Sequence, residues 1–245
     1  MELNNTIYQL DKYLLIIFIL LSLKMIAADN EIYVDQSGAT ANIDLEQLGS
    51  GNIIGGASAI AGTMTPLDLD GTSLTLDINQ IGNSNKFLGD IYADNYTGFF
   101  EFTGDTNTFN MQTDPTNTYG ADSSDVNVQV TGSGNTFTLN HSVAALASTL
   151  DLDWTIQGSN NTITASIDYD SAINFMDIDG SDNTVTFDAD GFAGGYFYLD
   201  HTGGSRTFNI QQQSTLDNDW LQINSTGSSG TVCVIQNDQG TSTGC

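Results

Sequence analysis

The chain has 245 residues, with 30 acidic against 4 basic side chains and a formal net charge of −26. A surface of one sign repels phosphate backbones, which argues against a nucleic-acid partner. The apolar content of 39% is too high for plain disorder, and the length suits one or two ordinary domains or one elongated all-β unit.

Taken in chain order, the first feature is the uncharged run Tyr13 to Leu23. It is shorter than the roughly 20 apolar residues a spanning helix needs, and it matches the apolar core of a secretory signal peptide. Lys12 precedes it, and Ala27-Ala28 supplies small residues for cleavage before Asp29. Ile26, Glu2 and Asp11 depart from the usual pattern, and a retained membrane anchor is the alternative. The expectation is a signal segment over residues 1–28, a repeat domain over 29–245, and a secreted, extracellular or cell-surface protein. Removing residues 1–28 takes away Glu2, Asp11, Lys12 and Lys24, so 28 acids and 2 bases remain and the charge stays at −26. Repulsion of that size opposes compaction unless salt or divalent cations screen it. No cofactor is expected: the acidic residues read as a solvated face, with weak, distributed binding of Ca²⁺ or another divalent cation as the alternative to a defined site.

Beyond this segment the chain repeats. Gly49-Ser50-Gly51-Asn52 and Gly82-Asn83-Ser84-Asn85 are followed by Gly104 to Asn107, Gly132 to Asn135, Gly158 to Asn161 and Gly180 to Asn183. Two degenerate copies start at Gly203 and Gly227, and the leading glycines are spaced 33, 22, 28, 26, 22, 23 and 24 apart. Aligning on them produces apolar files. Four before Gly stand Ile78, Phe100, Val128, Trp154, Met176 and Leu199; five after stand Phe87, Phe109, Phe137, Ile163, Val185 and Phe208. The intervening residues are mostly Thr, Asp, Asn or Gln, so each unit reads as two short strands with one buried face each, joined by the Gly-x-x-Asn turn. Two such strands cannot bury their own faces, but stacking each unit on the next makes a continuous core. The predicted fold is all-β: a β-solenoid of about eight two-strand coils stacked in register, with a β-sandwich of hairpins as the alternative. Asn52, Asn85, Asn107, Asn135, Asn161 and Asn183 would then form an amide ladder, with Gln47 and Gln80 beside it.

Other segments interrupt or decorate the coils. Ala57 to Pro66 reads as an insertion looping out, Asp114 to Ser124 as a longer arch, and Val143 to Ser148 as a helical turn or an arch. Phe99, Phe175 and Tyr198 share one outward file, where rings can pack filaments together or touch a glycan. Cys233 and Cys245 are the only cysteines. They suit a disulfide clipping the tail of a secreted chain, and the alternative is that Cys233 is a buried apolar residue. The degenerate last units would then act as a cap.

The hexapeptides Gln47-Leu48-Gly49-Ser50-Gly51-Asn52 and Gln80-Ile81-Gly82-Asn83-Ser84-Asn85 resemble the Gln-x-Gly-x-x-Asn signature of the curlin family, the subunits of bacterial curli fibres. Gln36-Ser37-Gly38 starts the pattern again, with Ala41 in the Asn place; later units put Phe102, Val130, Ile156 and Ile178 in the Gln place. The resemblance implies an exported fibre subunit, leaving through an outer-membrane secretion pore and polymerising with its own kind at the cell surface.

Two other functions compete with a structural one. Thr136/Thr138, Thr162/Thr164 and Thr184/Thr186 are consecutive outward Thr-x-Thr pairs, the kind of regular array that holds ordered water for ice or flat-polymer binding. The bland alternative is that Thr is simply a favoured strand residue. A polysaccharide-degrading β-helix enzyme needs carboxylates clustered as acid, base or nucleophile. The aspartates here, from Asp151 to Asp190, spread along the repeat, and only His141 and His201 accompany them. No catalytic or metal-ligating set is expected, and His201 falls in an inward file.

Overall fold

The computed structural model describes residues 30–49, 52–57, 64–82, 84–113, 123–141, 149–169, 171–191, 195–214 and 219–237. The expected signal segment, most of the arch from Asp114, the Val143 to Ser148 run and Cys245 lie outside the described residues.

The described residues form a β-solenoid without helices, built from two faces of parallel strands. One face, called sheet A here, stacks Thr40–Leu48, the 73–81 part of Leu67–Ile81, the 95–103 part of Lys86–Thr103, Ser123–Thr131, Thr149–Gln157, Ala172–Asp179, Tyr196–Thr202 and Trp220–Thr226. Sheet B stacks the segments that follow each Gly-led turn, from Glu31–Ile32 and Asp35–Ser37 through Thr136–His141 and Thr162–Tyr169 to Thr231–Asn237. Neighbouring coils are spaced by about 4.8 Å, the strand separation of any β-sheet.

Register is what the repeat predicts. Phe137 pairs with Phe109 and Ile163, and Trp154 pairs with Val128 and Met176. Burial alternates along the inner strands, as in Thr149–Gln157, where Leu150, Leu152, Trp154 and Ile156 are buried between exposed neighbours. The middle of the core is aromatic: Phe87 stacks on Phe109 at 5.2 Å, and Phe100, Phe102, Phe137 and Trp154 meet these rings edge-on or tilted. Gly89 and Gly98 leave room for them, since a Cβ on either would come within 2.7 Å of a ring.

About six coils close fully, fewer than the eight Gly-led units. Among the described residues the first and last units have a neighbour on one side only. Ala41, Ile43 and Leu45 at one end, and Leu221 and Ile223 at the other, are only partly buried, although they continue the inward files.

The segment after Ile54 leaves the coil as a hairpin, with Gly56–Ala57 antiparallel to Met64–Thr65. Ile54 pairs with Phe87 and Leu67 with Gly89, so residues 55–66 occupy the place of Leu88 alone. This explains the spacing of 33 against 22. The arch expected to reach Ser124 is shorter, because Ser123 and Ser124 already pair with Asn95 and Tyr96 in sheet A. Gln36-Ser37-Gly38 is not a further copy of the Gly-led turn: Gln36 pairs with Leu69 in sheet B, and Gly38 lies at the opposite corner of the coil.

Candidate functional site

The Gly-x-x-Asn corner is the most ordered chemical feature. Gly132, Gly158 and Gly180 have φ of +140° to +149°, and a Cβ on Gly158 would stand 1.9 Å from the Gly132 carbonyl oxygen one coil away. Backbone touches backbone there, so only glycine fits. The third turn residue is left-handed: φ is 63° at Ser84, 62° at Thr106, 60° at Asn160 and 59° at Asp182. The asparagines at the fourth position are not the left-handed residues. They are free to point inward, and all six expected members are buried.

The Asn file is a ladder, but mostly not one of amide to amide. The backbone N–H of Asn85 donates to Asn107 Oδ1 (3.1 Å), that of Asn107 to Asn135 Oδ1 (2.7 Å), that of Asn135 to Asn161 Oδ1 (3.0 Å) and that of Asn161 to Asn183 Oδ1 (3.0 Å). Each Nδ2 turns back onto its own glycine carbonyl, at 2.6 to 3.1 Å for Asn85, Asn107, Asn135 and Asn161. Side-chain amides bond directly only from Asn135 to Asn161 and from Asn161 to Asn183 within this run. Between Asn52 and Asn85 the link passes through Gln80 Nε2, which donates to Gln47 Oε1 at 2.7 Å. Both glutamines are buried, and Gln47 Nε2 also holds the Ile53 carbonyl.

One member of the file, Asn30, escapes sequence reading, and the degenerate copy at Gly203 ends it. Asn30 Nδ2 donates to Asn52 Oδ1 at 2.8 Å and so begins the ladder. It is preceded by no Gly-x-x, and only its spacing of 22 from Asn52 marks it. At the other end Arg206 stands in register with Asn183 and cannot accept a hydrogen bond. Asn183 Nδ2 is left without a partner, and Arg206 Nη1 bonds to the Ser229 carbonyl. A second file escaped as well: Ser133 N–H donates to Asp105 Oδ1, Ser159 N–H to Ser133 Oγ, Ser181 N–H to Ser159 Oγ and Gly204 N–H to Ser181 Oγ.

The threonine pairs lie on the outer face of sheet B in two straight files. Thr136, Thr162 and Thr184 pair in sequence, as do Thr138, Thr164 and Thr186. Thr108 and Thr207 extend the first file, whereas Asn110 and Asn209 replace Thr in the second.

Carboxylates stack on themselves. Burial, then Asp190 and Asp188, raise Asp168 to about 6. Burial, then neighbouring acids, also raise Asp68, Asp151, Asp153, Asp177 and Asp188, the last partly relieved by Gln211. Among the described residues no group of three or more His, Cys, Asp or Glu is arranged to hold a metal ion. His201 is buried, with Nε2 donating to the Gly180 carbonyl and Nδ1 accepting from Ser225 Oγ, and burial lowers its pKa. His141 is fully buried, and desolvation lowers it to about 4. The two histidines lie in separate inward files, each beside apolar neighbours. Cys233 is disulfide-bonded, while Cys245 lies outside the described residues.

These features define an all-β solenoid whose ordered chemistry serves its own stacking. No family model, curated protein or solved structure matches the chain.

Proposed function

We propose that the protein is a secreted structural subunit that assembles by stacking one molecule's last coil on another's first, as the curlin resemblance implies. The observation that carries this reading is the condition of the two ends. Each presents unpaired strand edges of both sheets among the described residues, and such edges are templates for another chain. The inward files also continue in matching order. Leu221, Ile223, Val232 and Val234 at the last coil stand where Ile43, Leu45, Ile32 and Val34 stand at the first. Val232 and Val234 point inward and are still 44% and 42% exposed. The last two strands, WLQINST and TVCVIQN, carry no charge in a chain of −26, whereas the first coil carries Asp35, Asp44 and Glu46. Head-to-tail stacking therefore avoids setting acid against acid, and a head-to-tail contact that does not close grows into a filament. Electron microscopy and fibre diffraction of the purified protein, with and without Ca²⁺, test this: filaments with a reflection at about 4.7–4.8 Å are expected. Monodisperse particles under every condition would refute it.

A second reading rests on the registered threonine grid of sheet B, whose flat, regular hydroxyls and methyls suit ice or another flat lattice. An ice-recrystallisation assay with Thr162→Tyr as the control separates it from the first.

A further inference from the structure

Outside the ladders, two features of sheet A lie end to end. At the corner where the chain returns from sheet B to sheet A, a groove of about 480 Å³ runs along the solenoid across five coils. One wall is the exposed file Ser73, Asn95, Ser123, Thr149 and Ser171. The next file is Thr75, Thr97, Asp125 and Asp151, closing on Ile173. The buried Ser124 Oγ, which has no hydrogen-bond partner, also lines the groove. A polar group recurring at every coil, about 4.8 Å apart, suits a ligand that itself repeats.

The second feature begins where the groove ends. Ile173 is in register with Tyr196, and Tyr196 with Trp220. The Tyr196 and Trp220 rings stack at 4.0 Å and 6°, and Phe175 lies 5.7 Å from Tyr196 and 5.8 Å from Tyr198. Ile173, Phe175 and Trp220 are 43%, 40% and 37% exposed. A polar chain borders the rings: Gln222 Nε2 donates to Asn224 Oδ1, Asn224 Nδ2 to Tyr198 Oη, and Tyr198 Oη to Asp200 Oδ2. Rings beside fixed amides and carboxylates are the two halves of a sugar site, which needs an apolar platform for C–H faces and acceptors for hydroxyls.

Charge selects the occupant. Asp125, Asp151, Asp153, Asp177 and Asp200 share this face, and Lys86 and Arg206 belong to sheet B. A second copy of this acidic chain laid against the face, or an anionic polymer, would bring like charges together. We propose that the outer face of sheet A binds a linear, neutral hexose polymer along the solenoid axis, from the groove at Ser73 to the rings at Trp220. Seven coils span this strip, or roughly 29 Å. The site is independent of whether the coils of separate molecules stack.

The test is co-sedimentation of the full chain with a neutral β-glucan and with chitin, with polygalacturonate as the acidic control. Retention on at least one neutral polymer is expected, with at least tenfold loss in Ser123→Tyr, which fills the groove, and in Phe175→Ala. Circular dichroism and melting of each variant separate this loss from misfolding. In the unmutated chain the bound polymer should shield the exposed Trp220, and not the buried Trp154, from acrylamide quenching. Absence of retention on either neutral polymer, equal retention of polygalacturonate, unchanged binding by both variants, or self-association through this face in place of glycan binding would overturn the proposal.

Discussion

Each coil has two corners, and they obey different rules. At the Gly-x-x-Asn corner, four residues carry the chain from sheet A to sheet B in nearly every coil. At the return corner the first coils bend within one continuous strand, as at 71–73 and 93–95, whereas the number of residues between the two sheets varies in later coils, reaching nine between Thr113 and Ser123. The difference lies in what touches what. At the first corner successive backbones are in contact and bond to one another: Gly134 N–H donates to the Ser159 carbonyl and Asn160 N–H to that of Ser181. At the described return corners the backbones also bond, Gly38 N–H to the Asp70 carbonyl and Thr72 N–H to that of Ala39, but no Gly-x-x-Asn pattern repeats there and the number of residues differs from coil to coil. Repetition in the sequence is thus strongest at the corner where a Cβ cannot fit and an inward amide must bond, and in the inward files beside it.

The most damaging change should strike that contact. Gly158→Ala needs a Cβ at 1.9 Å from a carbonyl oxygen and should cost more than about 4 kcal/mol, or prevent folding. Gly134→Ala, two residues into the neighbouring turn, meets its nearest atom at 3.6 Å and adopts φ +72°, so it should cost only about 1–2 kcal/mol. Denaturant melts of the two variants compare them directly. Equal losses would mean that left-handed backbone, and not contact between coils, fixes the glycines.

Next in size is the ladder. Asn135→Ala strips the acceptor from the Asn107 N–H and the donor from the Gly132 carbonyl, both inside the protein, and should cost about 2–3 kcal/mol. Arg206→Asn should act in the opposite sense, giving Asn183 Nδ2 a partner for a gain of about 1 kcal/mol. The gain is to be measured at high salt, where loss of a positive charge matters least. If Arg206→Asn proves destabilising, the file ends at Asn183 for a reason other than the missing acceptor.

A smaller effect follows from the acidic faces. Asp168, with a folded pKa of about 6, binds its proton more tightly folded than unfolded. Its contribution is therefore fully present below its unfolded value near 3.8 and is lost as pH rises through about 6. Asp68, Asp151, Asp153, Asp177 and Asp188 act in the same direction. Buried His141 opposes them, since its folded value of about 4 lies below 6.5 and its contribution is lost as pH falls between the two. His201, also lowered by burial, acts with His141, so the test is a difference between variants: on acidification from pH 7 towards 5 the Tm of Asp168→Asn should fall relative to that of the unmutated chain. A Tm of the unmutated chain that falls over this range would show that the buried histidines dominate.

The solenoid, its inward files and the six asparagines were legible because stacked backbones force the same residue into the same place each time. Legibility failed where one coil satisfies the same need differently. Asn30 lacks a preceding glycine, and among the described residues no coil stacks beneath it to require one, while the Ser133–Ser159–Ser181 file hides behind turn residues that composition alone would call generic. The bonding of the ladder was also beyond the sequence: Asn supplies both a donor and an acceptor, and only the folded corner shows that the acceptor faces a backbone N–H. The groove and ring strip on sheet A were half legible. Phe175 and Tyr198 share a file by spacing, but the groove arises from the return corner, where spacing is irregular.

The least consequential change should be removal of the inserted hairpin. Residues 55–66 stand where Leu88 stands one coil on, and the described part of the insertion contributes only the Gly56–Ala57 and Met64–Thr65 pairing. Replacing all twelve residues by one leucine shortens the path between Ile54 and Leu67 to the one its neighbour already takes. Loop entropy grows only slowly with length, so the change in stability should stay within about 1 kcal/mol. Both flanking residues are fully buried and their register partners are unchanged, which leaves the inward files intact. A loss greater than about 3 kcal/mol, of the size seen when core contacts are removed, would show that the hairpin covers part of the first coil. It would then be a partial cap and not an ornament, which would weaken the head-to-tail stacking proposed for that end.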